Sequence, residues 1–149
     1  MSRKRITVLV AAVAVLFSIS AASAAWRGGG GWGGGSAYQR MYNPQTVETI
    51  SGTVESVGKF TPMHGMSYGI HLLVKTGKET VPVHLGPAWY INKQNVKFAK
   101  GDKVEVKGSR VTFDNKPAII ADTVKKDGGT LVLRDSAGRP AWAGWRRGR

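Results

Sequence analysis

Tyr68-Gly69-Ile70-His71-Leu72-Leu73-Val74-Lys75-Thr76-Gly77-Lys78-Glu79-Thr80-Val81-Pro82-Val83-His84-Leu85 reads as two β-segments joined by a tight turn. Residues 68–75 and 79–85 are rich in aliphatic and β-branched side chains, and Thr76-Gly77-Lys78 between them is a hairpin signal. With Gly77 and Lys78 as a two-residue loop, Thr76 faces Glu79 and the register follows. Ile70 then lies opposite Leu85, His71 opposite His84, Leu72 opposite Val83, and Val74 opposite Val81. Side chains alternate between the two faces of a strand, so those six apolar residues share one face, the core side. His71 and His84 share the outer face, with β-carbons about 5 Å apart.

The flanking sequence extends the β pattern. In residues 47–57, Ile50, Gly52 and Val54 alternate, and Gly52 suggests a bulge or sharp bend. Gly86-Pro87 followed by Ala88, Trp89, Tyr90 and Ile91 predicts a short helix to about Asn95. Residues 103–113 carry Val104 and Val106 between charged neighbours, Asp114-Asn115-Lys116 is a turn, and 117–124 and 131–133 are further strands. Three strands, a helix, two strands and a small extra strand is the order of an all-β, five-stranded OB-like barrel with one short helix between strands 3 and 4. A plain antiparallel sandwich produces the same periodicity.

The chain has 149 residues, room for one domain. Arg3, Lys4 and Arg5, an uncharged apolar run over 6–17, and Ala22-Ser23-Ala24 form the pattern of a cleavable signal peptide, residues 1–24. The expected location is therefore periplasmic or secreted. Residues 25–46, with Trp26, Trp32 and many glycines, read as a flexible linker. Trp26 and Trp32 are odd in a pure spacer. The OB-like domain is placed at 47–135, followed by a basic Trp/Arg tail at 136–149 that contains Trp142 and Trp145.

Lys and Arg number 22 against 9 Asp and Glu, and the expected mature chain keeps 19 of those basic residues, a net +10. That balance favours an anionic polymer or an envelope component as partner, with a redox-chain protein as a further candidate. The tails add possible membrane contact. There is no cysteine, hence no disulfide and no thiolate chemistry.

Gly52-Thr53-Val54-Glu55-Ser56-Val57, His84-Leu85-Gly86-Pro87-Ala88-Trp89-Tyr90, Gly101-Asp102-Lys103-Val104-Glu105-Val106, Leu131-Val132-Leu133-Arg134-Asp135 and Gly138-Arg139-Pro140-Ala141-Trp142 spread over residues 47–142. In these segments the chain resembles small exported bacterial OB-fold proteins, which are catalogued as of unknown function or as nucleic-acid binders. The resemblance implies a non-enzymatic binding module and brings no catalytic residues to transfer.

In OB-folds the loop after the first strand and the outer face of strands 2 and 3 form the usual ligand platform. The ligand-binding candidates are therefore Phe60, His71, Lys75, His84, Trp89 and Tyr90. Trp89 reads first as a plug at the barrel end, and Tyr90 as a possible stacking surface. Met63, His64 and Met66 precede the second strand, and with His71 and His84 they make a donor set suited to copper or haem. The same histidine pair also reads as a plain surface pair, and the methionines as gap-fillers. Catalysis has little to stand on. Ser51, Ser56 and Ser109 have no evident His–carboxylate partner, and the acidic residues lack a paired or metal-binding spacing. The expected function is an exported, non-enzymatic binding or accessory module with a basic surface. Soft-metal or haem handling and nucleic-acid binding are the alternatives.

Overall fold

A computed structural model describes residues 31–33 and 35–143. The expected signal peptide, Trp26, and residues 144–149 of the tail lie outside the described residues. Six strands follow two short 3-10 turns, Gln39–Met41 and Pro44–Thr46. The strands are β1 (Val47–Phe60), β2 (Gly69–Lys75), β3 (Thr80–Pro87), β4 (Lys103–Phe113), β5 (Lys116–Lys126) and β6 (Gly129–Val132). One helix, α1 (Ala88–Ile91), lies between β3 and β4.

β1 pairs with β4 through Thr53 and with β2 from Thr53 onward, so one long strand serves both halves of the sheet. A short parallel pairing, Val83 with Ile119 and His84 with Ile120, joins β3 to β5. The ring β1–β2–β3–β5–β4 thereby closes, with β6 added beside β5. This is the barrel-like, all-β arrangement that the strand order predicts. Gly52 sits where β1 changes partner. A Cβ there would lie 2.3 Å from the Lys75 carbonyl oxygen, so the close approach of two backbones requires glycine. The bulge in β1 itself falls between Val54 and Ser56.

The hairpin turn forms as read, with the Thr76 amide donating to the Glu79 carbonyl. Thr76 Oγ1 also accepts from the amides of Lys78 and Glu79, which locks the loop. His71 faces His84, Leu72 faces Val83, and Val74 faces Val81. One pair departs from expectation: Ile70 faces Gly86, because a bulge leaves Leu85 without a partner. Leu72, Val74, Val81, Val83 and Leu85 are all fully buried, whereas Ile70 is half-buried. They pack with Val54, Val104, Val106, Ile119 and Val124 in one apolar cluster. The helix is shorter than expected. After Ile91 the Lys93 and Gln94 amides bond three residues back, and the Gln94 side chain takes the Tyr90 carbonyl.

Residues 118–122 of β5 are all buried, so this strand is covered on both faces. The second cover is the chain's own flanking segments. Trp32 is 6 %, Tyr38 1 % and Trp142 3 % exposed. The packed unit therefore begins before Val47, and Trp32, Tyr38 and Tyr42 belong to it rather than to a spacer. Trp142 belongs to it likewise, not to a free tail. Large aromatic rings each remove 150–250 Å² from water, enough to order a glycine-rich segment that lacks periodicity. Hydrogen bonds then fix it. The Trp32 carbonyl accepts from Trp142 Nε1 at 2.9 Å and from the Gln39 amide at 3.2 Å, and Trp32 Nε1 donates to the Ser67 carbonyl. Arg134 is buried too. It donates to the carbonyl of Ala121 and to Gln39 Oε1, and its guanidinium lies over the Tyr42 and Trp142 rings.

Two glycines form the floor beneath the indoles. A Cβ at Gly69 would lie 2.6 Å from the Trp32 ring, and one at Gly86 would lie 2.7 Å from the Trp142 ring. Gly69→Ala and Gly86→Ala should each cost about 1–3 kcal/mol by overpacking. Gly77→Ala, where nothing lies within 4 Å, is the matched control. Urea midpoints check this, and an unshifted midpoint for Gly69→Ala would show that Trp32 does not rest on that strand.

Candidate functional site

Phe60 ends β1 opposite Gly69, which brings its ring to the two histidines. It stacks on His71 with centroids 5.4 Å apart and lies 4.1 Å from His84. The two imidazole centroids are 6.3 Å apart. Phe113 of β4 meets His84 edge-on at 4.8 Å. Tyr38 completes the cover, its hydroxyl 2.8 Å from His84 Nδ1. His84 is consequently only 2 % exposed, while His71 is half-buried. The predicted cross-strand pair exists, on the side of the strands away from Leu72 and Val83, but its inner member lies under the protein's own aromatic rings. An open platform at His84 is therefore not what this face offers.

Burial sets the protonation. It pulls the His84 pKa from 6.5 to about 3, and positive charge at His71 and Arg134 acts in the same direction. His71 is lowered as well, through burial. Both rings are neutral at physiological pH. Burial, the larger cause, raises the Tyr38 pKa while Arg134 opposes it, so the phenol keeps its proton. Tyr42 donates to Asp122 and is pushed up to about 12, first by burial and then by that carboxylate. Burial draws Arg134 down to about 10, so it stays cationic.

The other predicted residues are dispersed. Lys75 is exposed at the far end of β2, four residues or about 13 Å along the strand from His71. Met63 is 37 % exposed, His64 is exposed, and Met66 is half-buried near Gly31. Among the described residues, no three His, Asp or Glu side chains gather in metal-binding range. His71 and His84 remain the only imidazoles brought together, and Nδ1 of His84 is already engaged by Tyr38. Trp89 and Tyr90 sit half-buried on α1, and Tyr90 packs on Trp142 at 5.4 Å.

A second surface extends the strand face of Lys103, Glu105 and Lys107, which reads from the sequence as solvated first and anion-binding second. Thr49, Lys107, Thr123 and Val132 lie side by side across β1, β4, β5 and β6. Ser51, Glu105, Lys125 and Thr130 form the adjacent row, and Thr53 with Lys103 begins a third. A cleft of about 480 Å³ between the rows is lined by Thr49, Glu105, Lys107, Thr123 and Lys125. The alternation of Lys103, Glu105 and Lys107 with buried Val104 and Val106 was the available signal. It marks a wet strand face but not its neighbours.

Residues 46–131, more than half of the chain, match the model of the MamS/MamX magnetosome protein family. That span contains Phe60, His71, His84 and most of the lysine–threonine face, and leaves Trp32, Tyr38 and Trp142 outside. No curated protein matches the sequence.

The buried imidazole makes stability depend on pH. As pH falls below 6.5 the unfolded chain protonates its histidine while folded His84, at about 3, does not. Stability is complete above 6.5 and falls by about 1.4 kcal/mol per pH unit between the two values. His71 contributes with the same sign. Urea midpoints at pH 7, 6 and 5 should therefore drop for the unmutated protein. His84→Gln, which keeps an acceptor for the Tyr38 hydroxyl, should lose most of that slope. Parallel slopes would refute the assignment.

Proposed function

Because the chain belongs to the MamS/MamX magnetosome protein family, we propose that it is a magnetosome-associated accessory module that binds an anionic partner without catalysing a reaction. The partner docks on the outer face of β1, β4, β5 and β6. The supporting observation is the placement of Lys103, Lys107 and Lys125 among threonine and serine hydroxyls on one exposed sheet face, with Glu105 the one carboxylate in those rows. The ammonium groups supply attraction, and the hydroxyls supply donors for phosphate or carboxylate oxygens. The aromatic–imidazole face is the weaker choice for an incoming ligand, since Tyr38 and Phe113 already cover His84. The signal-peptide pattern of residues 1–24 supports an extracytoplasmic setting for this binding.

Salt and charge substitution test the reading. The full chain should bind vesicles containing anionic phospholipid, or a polyphosphate, more tightly at 50 mM than at 200 mM salt. Each surface lysine is worth about 1 kcal/mol, so Lys107→Gln with Lys125→Gln should weaken binding about 30-fold. Equal affinity at both salt concentrations, or in the double variant, would overturn it.

A further inference from the structure

We propose that Tyr38 is a redox-active tyrosine: a high-potential transition-metal complex, reached at the Trp89–Tyr90 end of the domain, takes one electron from it through Trp142 and Trp32 and falls by one oxidation state, and the phenolic proton passes to His84.

The rings form an unbroken series. Trp89 and Tyr90 have centroids 6.3 Å apart, Tyr90 and Trp142 5.4 Å, Trp142 and Trp32 6.1 Å, and Trp32 and Tyr38 5.3 Å. Each separation lies within the 4.5–7 Å of a contacting aromatic pair. Every member is tyrosine or tryptophan, the two side chains that give up an electron most readily among aromatic residues. Trp89 and Tyr90 are half-buried on α1, and Trp142, Trp32 and Tyr38 are buried. The series therefore leads from the surface into the interior.

What distinguishes Tyr38 is where its proton can go. Trp32 Nε1 donates to the Ser67 carbonyl, and Trp142 Nε1 donates to the Trp32 carbonyl. A carbonyl oxygen cannot accept a proton outright, so either indole, once oxidised, keeps its positive charge. Arg134 lies 5.1 Å from the Trp142 ring and disfavours charge there. The Tyr38 hydroxyl instead meets a ring nitrogen, His84 Nδ1, at 2.8 Å. In the tautomer with the proton on Nε2, Nδ1 accepts from the hydroxyl, and the proposal takes that form. An oxidised phenol is a far stronger acid than an imidazolium, even one whose basicity burial has reduced. The oxidant gains one electron, the Tyr38 O–H bond breaks, and an N–H bond forms at Nδ1. The products are a neutral tyrosyl radical and an imidazolium. Return of the electron from the reduced metal complex restores the O–H bond, and the proton stays within the buried pair.

The test uses the full-length chain, a photogenerated ruthenium(III) polypyridyl complex as oxidant, and freeze-quenched electron paramagnetic resonance. A tyrosyl signal should appear and fall at least fivefold in Tyr38→Phe. In His84→Gln, which accepts the hydrogen bond but not the proton, a similar loss is expected. Should Tyr38→Phe fail to fold, as judged by circular dichroism, 3-fluorotyrosine at position 38 keeps both the packing and the hydroxyl. Its fluorine hyperfine splitting must then appear in the signal. A tyrosyl signal undiminished in Tyr38→Phe, or one without fluorine splitting in the fluorinated protein, would overturn the proposal.

Discussion

The contact between the Tyr38 hydroxyl and His84 Nδ1 joins the barrel wall to the segment that covers it. On β3, Val81, Val83 and Leu85 fill the barrel, which turns His84 to the opposite side. An imidazole buried there needs a partner for its nitrogen, since an unmet buried polar group costs about 1–3 kcal/mol. Tyr38 supplies it, and the ring that carries the hydroxyl brings Trp32 and Phe60 with it. One polar requirement thus positions an apolar layer. The neutrality of His84, the acid sensitivity of the fold and the route for a phenolic proton all trace to this pair.

A second network does the same for the other flank. Trp32 offers one carbonyl to both Trp142 and Gln39, and Gln39 in turn accepts from Arg134. Arg134 Nε is the one buried side-chain nitrogen or oxygen among the described residues without a hydrogen-bond partner. Its charge is offset instead by the faces of Tyr42 and Trp142 and by Asp122 nearby. The division of labour is then clear. One side of the barrel is covered by the segments that carry Trp32, Tyr38 and Trp142, and the lysine–threonine side is exposed.

The barrel was legible because its information is local. Period-two alternation and the Gly77-Lys78 turn are contained within eighteen residues, and they place His71 opposite His84. The slip at Ile70 was not legible, because the bulge at Leu85 lies where Gly86 is packed against Trp142, fifty-six residues away. The cover escaped for a similar reason. Trp32 stands in a run of glycines with no repeating pattern, and its partners are Phe60, Ser67 and Trp142. The one local hint was density: Trp32, Tyr38 and Tyr42 are too many large aromatics for a spacer. The paired imidazoles were found, but their depth depends on Tyr38 and Phe113, which alternation on β2 and β3 cannot reveal.

The bond between Trp142 and Trp32 spans 110 residues, and it sets an order of events. The cover that contains Trp32 and Tyr38 is made before the strands on which it lies, and its bond to Trp142 forms only once residue 142 is made. Closing so long a loop comes late, after nearer contacts have formed. Until then the Gly86 floor and one side of the Trp32 ring stay uncovered. The cover is thus completed from both ends of the domain, and only after the last strand has been made.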